Sequence, residues 1–428
     1  MSVEKYIASL SRVPNAPYLS QPAKTEILAA IKEMEISQRR EIDVIENEFG
    51  VFVRIKRGEE KITPKLVDVH LDHPFFITDS NNNAYPFGNL QVDRICQINR
   101  QEQWRIPVGI FTRSGFFLGE GQLLGKQGAP IAKVTAEFKV PPNCHLVWKT
   151  SFCDNGEYLD MVNADDMVVV GISLDLIKRI LDSNAPVDVT FMFGYIEEVK
   201  EISATGVAIE GLPWGMITPD WQIYVLEVGP AFIYPFQEKI IKDLGLLKPD
   251  VHGGPALRIN DDNLIYGQAF GEPNLAEWNL IKVAEKLKLK YQHTVLSAVC
   301  DGSVFTVFKT SPNVAGIMLM NHFRHNEGDN SFPVSERVSK RDIETTRDWL
   351  FEILTEEDNH EFPDESCLLT KKLRHTSLMM DETSLNHLAK ERKKTLKSVR
   401  PRLKTGYYFP ERLIDHLKFS SAMGLSKI

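Results

Sequence analysis

The sequence predicts an α/β protein with a β-rich segment set into it and a basic extension at its end. Three observations predict this. Helix-like and strand-like segments alternate before about residue 75 and again from 160 to 355. Short β-like runs, with no long helix among them, fill about 76–158. Beyond 356 the composition turns basic, with "HLAKERKKTLKSVRPRLKTG" carrying eight Lys/Arg against one Glu. Alternating helices and strands call for a layered α/β architecture. The expected parts are therefore a first stretch of the α/β domain at 1–75, an insertion at 76–158, the second stretch at 159–355 and the extension at 356–428.

The elements follow in order. "AKTEILAAIKEME" places Ile27, Leu28, Ile31 and Met34 at helical spacing and reads as an amphipathic helix. "DVIENEFGVFVRIK" alternates like two strands around Gly50. "PKLVDVHLDH" is a continuous apolar strand of the kind buried on both faces. "RIPVGIFT", "GFFLGEGQLL", "IAKVTAEFKV" and "CHLVWKTSF" are separated by Asn, Gly and Pro, as in a small barrel or sandwich. "DDMVVVGISLDLIKRILDS" reads as a helix, "PVDVTFMFGYIEE" and "WQIYVLEVG" as buried strands, and "PFQEKIIKDLG" as a helix closed by Gly245. "EPNLAEWNLIKVAEKLKLK" is a helix, "YQHTVLSAV" and "VAGIMLMNHF" are strands, and "KRDIETTRDWLFEILTEE" closes the series as a helix.

Composition bounds the function. The 428 residues, 43% hydrophobic and 25% charged, suffice for two or three packed domains. A net charge of −8 argues against a nucleic-acid partner. No apolar run approaches the ~20 residues of a membrane span, and "MSVEKYIASLSRVPNAP" has no secretory pattern, so no membrane association is expected. Five cysteines at scattered spacings, none in a C-x-x-C pair, read as free thiols in a reducing cytoplasm. "GEGQLLG" is not a dinucleotide fingerprint, and no G-x-S-x-G or phosphate-loop motif occurs. His252-Gly253-Gly254 reads as a loop, His293 and Cys300 as core, and Asp301-Gly302-Ser303 as an open candidate for an active-site loop. The basic run reads first as a solvated helix, with an arm for an acidic partner or another subunit as the functional alternative.

The chemistry-bearing residues gather at strand ends. In "VHLDHPFF", His70 and Asp72 are two apart and share a strand face. A carboxylate beside an imidazole fixes its tautomer and makes the other ring nitrogen a better metal ligand. "NADDMVVV" places Asp165 and Asp166 at a helix start, where they either cap it or bridge two cations. "FMFGYIEEV" ends a buried strand in Glu197 and Glu198, a costly pair unless a cation neutralises one and leaves the other as a base. "WQIYVLEVG" carries Glu227 near its end, and "AGIMLMNHFRHNEG" supplies His322 and His325. Ligands of open α/β sheets collect at the carboxyl ends of strands. Two histidines and several carboxylates without cysteine suit two divalent ions, zinc foremost and cobalt or manganese next.

The order of these motifs resembles the tetrahedral/glutamyl/deblocking aminopeptidases. "VHLDHPFF" stands for their A-H-M-D-E-V-G-F, "NADDM" for A-L-D-D/N-R, "EEVK" for E-E-V-G, "LEV" for L-D-V and "HFRH" for R-Y-x-H. Asp165 precedes Glu197 by 32 residues, and Glu198 precedes Glu227 by 29. The resemblance covers about residues 5–355. It implies a mixed-sheet zinc-peptidase (phosphorylase/hydrolase-like) domain with an inserted small β-barrel. It also implies a peptidase cleaving N-terminal amide bonds and assembling as a homo-oligomer. By position it assigns His70, Asp165, Glu198, Glu227 and His325 to two metals, with Asp165 bridging, Glu197 as general base and Asp72 as the orienter of His70. His73-Pro74-Phe75, Met167, Lys200 and Glu227 depart from the family pattern. They imply a divergent branch with altered substrate preference. A deacylase acting on acyl-amino acids and a non-catalytic relative that keeps the fold stand as alternatives.

Overall fold

Four strands form the middle of the molecule. Val187–Gly194, Lys65–His70, Gln222–Pro230 and Asn313–Asn321 lie side by side and run parallel. Only Pro230 escapes full burial among them. Their Val, Ile, Leu, Phe and Met content suits strands covered on both faces by helices. Antiparallel Gly50–Arg57 and Asp43–Glu46 extend the sheet on one side. Glu336–Ser339, Tyr158–Met161 and Cys153–Asp154 extend it on the other. With Ala256–Arg258 and Gln292–His293 beside Asn313–Asn321, the mixed sheet has 11 strands. The computed structural model describes residues 2–38, 42–58, 62–88, 90–262, 264–297, 299–356 and 364–405.

The 20-residue helix Ala164–Ser183 is the largest piece of packing on the sheet, buried along most of its length. Helix Val3–Leu10 lies against it so closely that a Cβ on Gly171 would stand 2.5 Å from Ile7 Cγ1. Helix Lys340–Thr355, capped by Ser339, and helix Leu275–Leu287, capped by Asn274, cover the sheet further along. Trp349, fully buried, ties these two together by donating its indole N–H to the Leu280 carbonyl.

Between Phe76 and Trp148 six antiparallel strands close into a barrel. Gln103–Phe111 shows why: Trp104, Ile106 and Val108 alternate inward between exposed Gln103, Arg105 and Pro107. Phe76 and Trp148 pack edge to face inside it, with Phe332 against Trp148. An eight-residue helix, Val92–Asn99, interrupts the strands. The fold class expected from the alternation, an α/β mixed sheet with a set-in barrel, is the one present.

One expected strand differs. "YQHTVLSAV" pairs only at Gln292–His293, and Val295 and Leu296 run as irregular but buried chain. The backbone of Leu296 is satisfied by a side chain instead of a neighbouring strand. Asn260 donates to its carbonyl at 2.8 Å and accepts from its amide at 3.2 Å.

The extension folds onto its own chain. Buried Glu277 accepts from Thr370, and Gln268 donates to the Met380 carbonyl at 2.6 Å. Helix Glu382–Thr405 lies on helices Ile202–Glu210 and Asp301–Val307, with Leu385, Leu396 and Val399 in the main core. Residues 357–363 and 406–428 of the extension lie outside the described residues. No helix of the described residues is long and apolar enough to cross a membrane. No disulfide links the cysteines, of which Cys96, Cys144 and Cys300 are buried.

Candidate metal centre

The carboxyl ends of the parallel strands deliver the polar residues. His70 is the last residue of its strand, and Val225 of the next strand pairs with Asp68. Two residues further along each strand, Glu227 Oε1 reaches to 3.5 Å from His70 Nε2. Glu197 and Glu198 follow the strand ending at Gly194, and His325 follows the one ending at Asn321. Asp165 and Asp166 come from the distorted first turn of Ala164–Ser183, and the peptide between them is cis.

Two sets of ligand atoms result. His70, Asp165, Asp166 and Glu227 form one, and Asp165, Glu198 and His325 the other, with the atoms of each set within 4.8 Å of one another. Asp165 belongs to both. Its Oδ1 lies 3.3 Å from His70 Nε2 and its Oδ2 lies 3.4 Å from His325 Nε2. Glu198 Oε1 completes the second set at 3.1 Å from His325 Nε2. Glu197 belongs to neither set, though its Oε2 is 4.0 Å from His70 Nε2.

Asp72 sits beneath both glutamates. Its carboxylate accepts the backbone N–H of Glu197 at 2.8 Å and that of Glu198 at 3.1 Å. His70 Nδ1 meets the Asp72 carbonyl at 3.0 Å, with the carboxylate at 3.4 Å. The tautomer of His70 is thus set mainly by a backbone oxygen, and the side chain of Asp72 is spent on the Glu197–Glu198 turn. His322 turns away from the centre and packs against Tyr158 and His252.

Burial dominates the electrostatics. It opposes charge on His70, but Asp166, Asp165, Asp72 and Glu227 outweigh it and raise the imidazole pKa well above its ordinary value. Burial likewise disfavours charge on Asp165, yet His325 and His70 hold its pKa well below the usual range. Glu197 is driven well above it by burial, against the pull of His70 and with the added repulsion of Glu198 and Glu227. The set of acids exceeds what two imidazoles neutralise. Asp166 Oδ1 is buried without a hydrogen-bond partner, and both oxygens of Asp165, Glu198 Oε1 and His325 Nε2 have only ion-pair neighbours within the centre, out of hydrogen-bond alignment. Buried orphans of this kind call for a cation. Oxygen-rich sets with one imidazole each fit zinc, cobalt or manganese.

Several residues at the centre escaped the sequence reading. Glu336 is fully buried, and its two oxygens accept the backbone N–H of His325 at 2.6 Å and of Asp165 at 2.9 Å. Nothing in "PVSERVSK" signals this, because Glu336 reads as a surface residue beside Arg and Lys. Arg324 Nε stands 3.5 Å from Asp165 Oδ2, with 27% of its side chain exposed. His73 reaches the Asp165 carbonyl and, at 3.0 Å, Asn326 Oδ1. Asp166 was visible as half of the D-D pair, and its position beside His70 needed the fold. Asp301, which the sequence left as an open candidate, is 2% exposed at the start of helix Asp301–Val307 and feels the charges of His70 and Glu227.

No protein-family model and no curated protein matches the sequence. Solved structures do match. The TET1 peptidase of Pyrococcus horikoshii superposes with a TM-score of 0.61 at 20% identity, over 83% of this chain and 100% of its own. A TET aminopeptidase from a marine-sediment Thaumarchaeota archaeon gives 0.61 at 16% identity, over 83% of this chain and 97% of its own. An aminopeptidase from the archaeon Desulfurococcus kamchatkensis gives 0.59 at 19% identity, over 83% and 95%. The chain therefore has the fold shared by these peptidases.

Proposed function

We propose that this chain is a metal-dependent hydrolase of amide bonds, an aminopeptidase-like exopeptidase whose centre holds two divalent ions, zinc foremost. The observation that carries the proposal is Asp165, whose two oxygens face two different imidazoles, His70 and His325. His70 and Glu227 would hold one ion, Glu198 and His325 the other, and Asp165 both. Asp166 stands beside the first set. Ions bound there would polarise the scissile carbonyl and acidify a water.

The chain's own residues would do the rest. Glu197, outside both ligand sets, would take the proton of the attacking water and return it to the leaving amine. Its raised pKa suits a group that must hold a proton between those two events. Asp72, through the amides of Glu197 and Glu198, would fix the base relative to the ligand beside it. The burial of Glu197 would exclude bulk water from that proton transfer.

The fold of the TET aminopeptidases supports a peptide substrate. Arg324 favours a second reading, a deacylase of acyl-amino acids, because a partly exposed guanidinium beside the centre suits a substrate carboxylate. The described structure of Pyrococcus horikoshii TET1 is of a peptidase that assembles into a tetrahedron or an octahedral shell, and a homo-oligomer follows for this chain on that likeness. Unpaired cysteines favour a reducing, cytoplasmic setting.

Metal analysis of the wild type and of Glu197→Gln, with a panel of aminoacyl amides, peptides and acyl-amino acids, tests the reading. Expected are bound metal in both proteins and turnover in the wild type alone. Absence of metal and of turnover on the whole panel would leave a binding protein with a hydrolase fold.

A further inference from the structure

Helix Glu382–Thr405 presents a buried stripe to the α/β domain: Leu385, Leu388, Leu396 and Val399 pack into or against the main core. The spacing is that of one helix face. Arg392 falls in the middle of this stripe, where an apolar residue is the rule. Its side chain is 12% exposed. A guanidinium placed there is costly unless it meets an anion and good acceptors.

It meets both. Arg392 Nη2 lies 3.2 Å from Glu201 Oε2, itself 13% exposed, and donates to Ser303 Oγ at 2.8 Å. Each partner belongs to a turn that faces the metal centre. Glu201 ends the turn that begins at Glu197, and its N–H donates to the Glu197 carbonyl at 2.8 Å. That turn is strained, for Lys200 and Glu201 have φ of 64° and 46°. Ser303 closes the other turn by donating its hydroxyl to the Cys300 carbonyl at 2.9 Å, across buried Asp301. One side chain of the extension thus holds two turns that are far apart in sequence.

We propose that Arg392 is a positioning residue of the centre, and that the C-terminal extension completes the site in the same chain. The proposal rests on the reading of Glu197 and Glu198 as working groups of that centre. It acts through Glu201 on the Glu197–Glu201 turn, and through Ser303 on the Asp301 turn. The basic helix is then neither a free solvated face nor an arm for an acidic partner at this point. Its central arginine is occupied within its own molecule.

The test uses full-length protein with Arg392→Met, Arg392→Lys and Glu201→Gln. Amide hydrogen exchange of the metal-free proteins reports on the two turns directly. In Arg392→Met, residues 197–201 and 300–304 should exchange at least about tenfold faster, as expected for loss of a charge-assisted hydrogen bond, with the barrel unchanged. With metal, kcat should fall about tenfold while KM moves less than about twofold. Arg392→Lys should recover part of the loss, and Glu201→Gln should reproduce it. Wild-type exchange in both turns of Arg392→Met overturns the proposal. So does faster exchange spread evenly over the whole chain. If the wild type binds no metal and turns over nothing, the hydrolase reading falls, and the exchange data still decide whether Arg392 holds the turns.

Discussion

Glu336→Gln is the substitution whose consequence the geometry fixes best. The carboxylate is fully buried, and each oxygen accepts one backbone N–H, from His325 at 2.6 Å and from Asp165 at 2.9 Å. The ionised acid accepts most strongly on both sides. Burial and the charge of Asp165 push its pKa well above the ordinary range, while the Asp165 N–H and His325 pull against that shift. Glutamine keeps one acceptor and turns an NH2 toward the other N–H. One charge-assisted bond is lost and one buried N–H is orphaned, together about 3 kcal/mol. Cations at the centre would relieve the repulsion between Glu336 and Asp165, so the loss should be larger in zinc-loaded protein than in metal-free protein. The amides at risk belong to ligands of the proposed second ion, and support of this kind is worth roughly 10–100-fold in metal affinity. Calorimetric zinc titration with thermal melting in chelator and in zinc would measure both effects. Zinc affinity within about twofold of wild type, with unchanged melting in both states, would refute the assignment of Glu336 as the clip between Asp165 and His325.

Other perturbations have equally definite outcomes. Removing metal with a chelator should lower the melting temperature. Restoring zinc to about 100 times its dissociation constant should return about 2.7 kcal/mol, and an unshifted melt would count against the centre. Burial holds the pKa of His145 down to about 3, with Arg113 adding to the effect, so its folded form stays neutral. Its stabilising contribution is complete above the unfolded pKa of about 6.5 and is lost as pH falls toward 3, about 2 kcal/mol of it by about pH 5. His145→Asn should remove that slope between about pH 7.5 and 5 in denaturant melts, and an unchanged slope would assign the acid lability elsewhere. Gly206→Ala drives a Cβ into the buried ring of Phe49. Overpacking of about 1–3 kcal/mol exceeds the gain of about 1 kcal/mol in helix propensity, so thermal melting should show net loss.

The sequence revealed elements and strand ends better than the supports between them. Val187–Gly194 and Gln222–Pro230 announced themselves by unbroken apolar runs, and the acids just beyond or near their ends stood out against that background. Barrel strands such as Gln103–Phe111 were legible from alternation. The irregular path of Val295 and Leu296 was not, because Asn260 satisfies the Leu296 backbone from 36 residues away in the chain. Glu336 and Arg392 stayed hidden for the same reason. Each is polar within a polar stretch, and only the tertiary fold makes it buried. His70 and Asp72 were read as a hydrogen-bonded pair on one strand face. In the fold the strand ends at His70, the Asp72 carbonyl takes the imidazole, and its carboxylate is freed for the next loop.

Two of the positions where the motifs depart from the family pattern, His73 and Lys200, adjoin the centre. His73 stands where the resemblance expects glutamate, and it links the Asp165 carbonyl to Asn326, which donates to the Val162 carbonyl at 2.8 Å. Lys200 stands where glycine is expected, and the backbone keeps the left-handed conformation that glycine would adopt freely, with φ of 64°. A lysine there costs roughly 1–2 kcal/mol. Glu201, also left-handed, is the residue that Arg392 grips. The strain and the hold on it therefore meet at one turn, between the proposed base at 197 and a helix that the shorter motif pattern does not contain. Buried acids at 165, 198 and 227 repel one another in the absence of cations, and a fold that had ceased to use them could replace the whole buried charge set with apolar residues at little or no cost. All three are buried together here, with Glu336 and Asp72 holding the amides of Asp165 and Glu198, and that is the physical reason to propose a working centre beneath the departures.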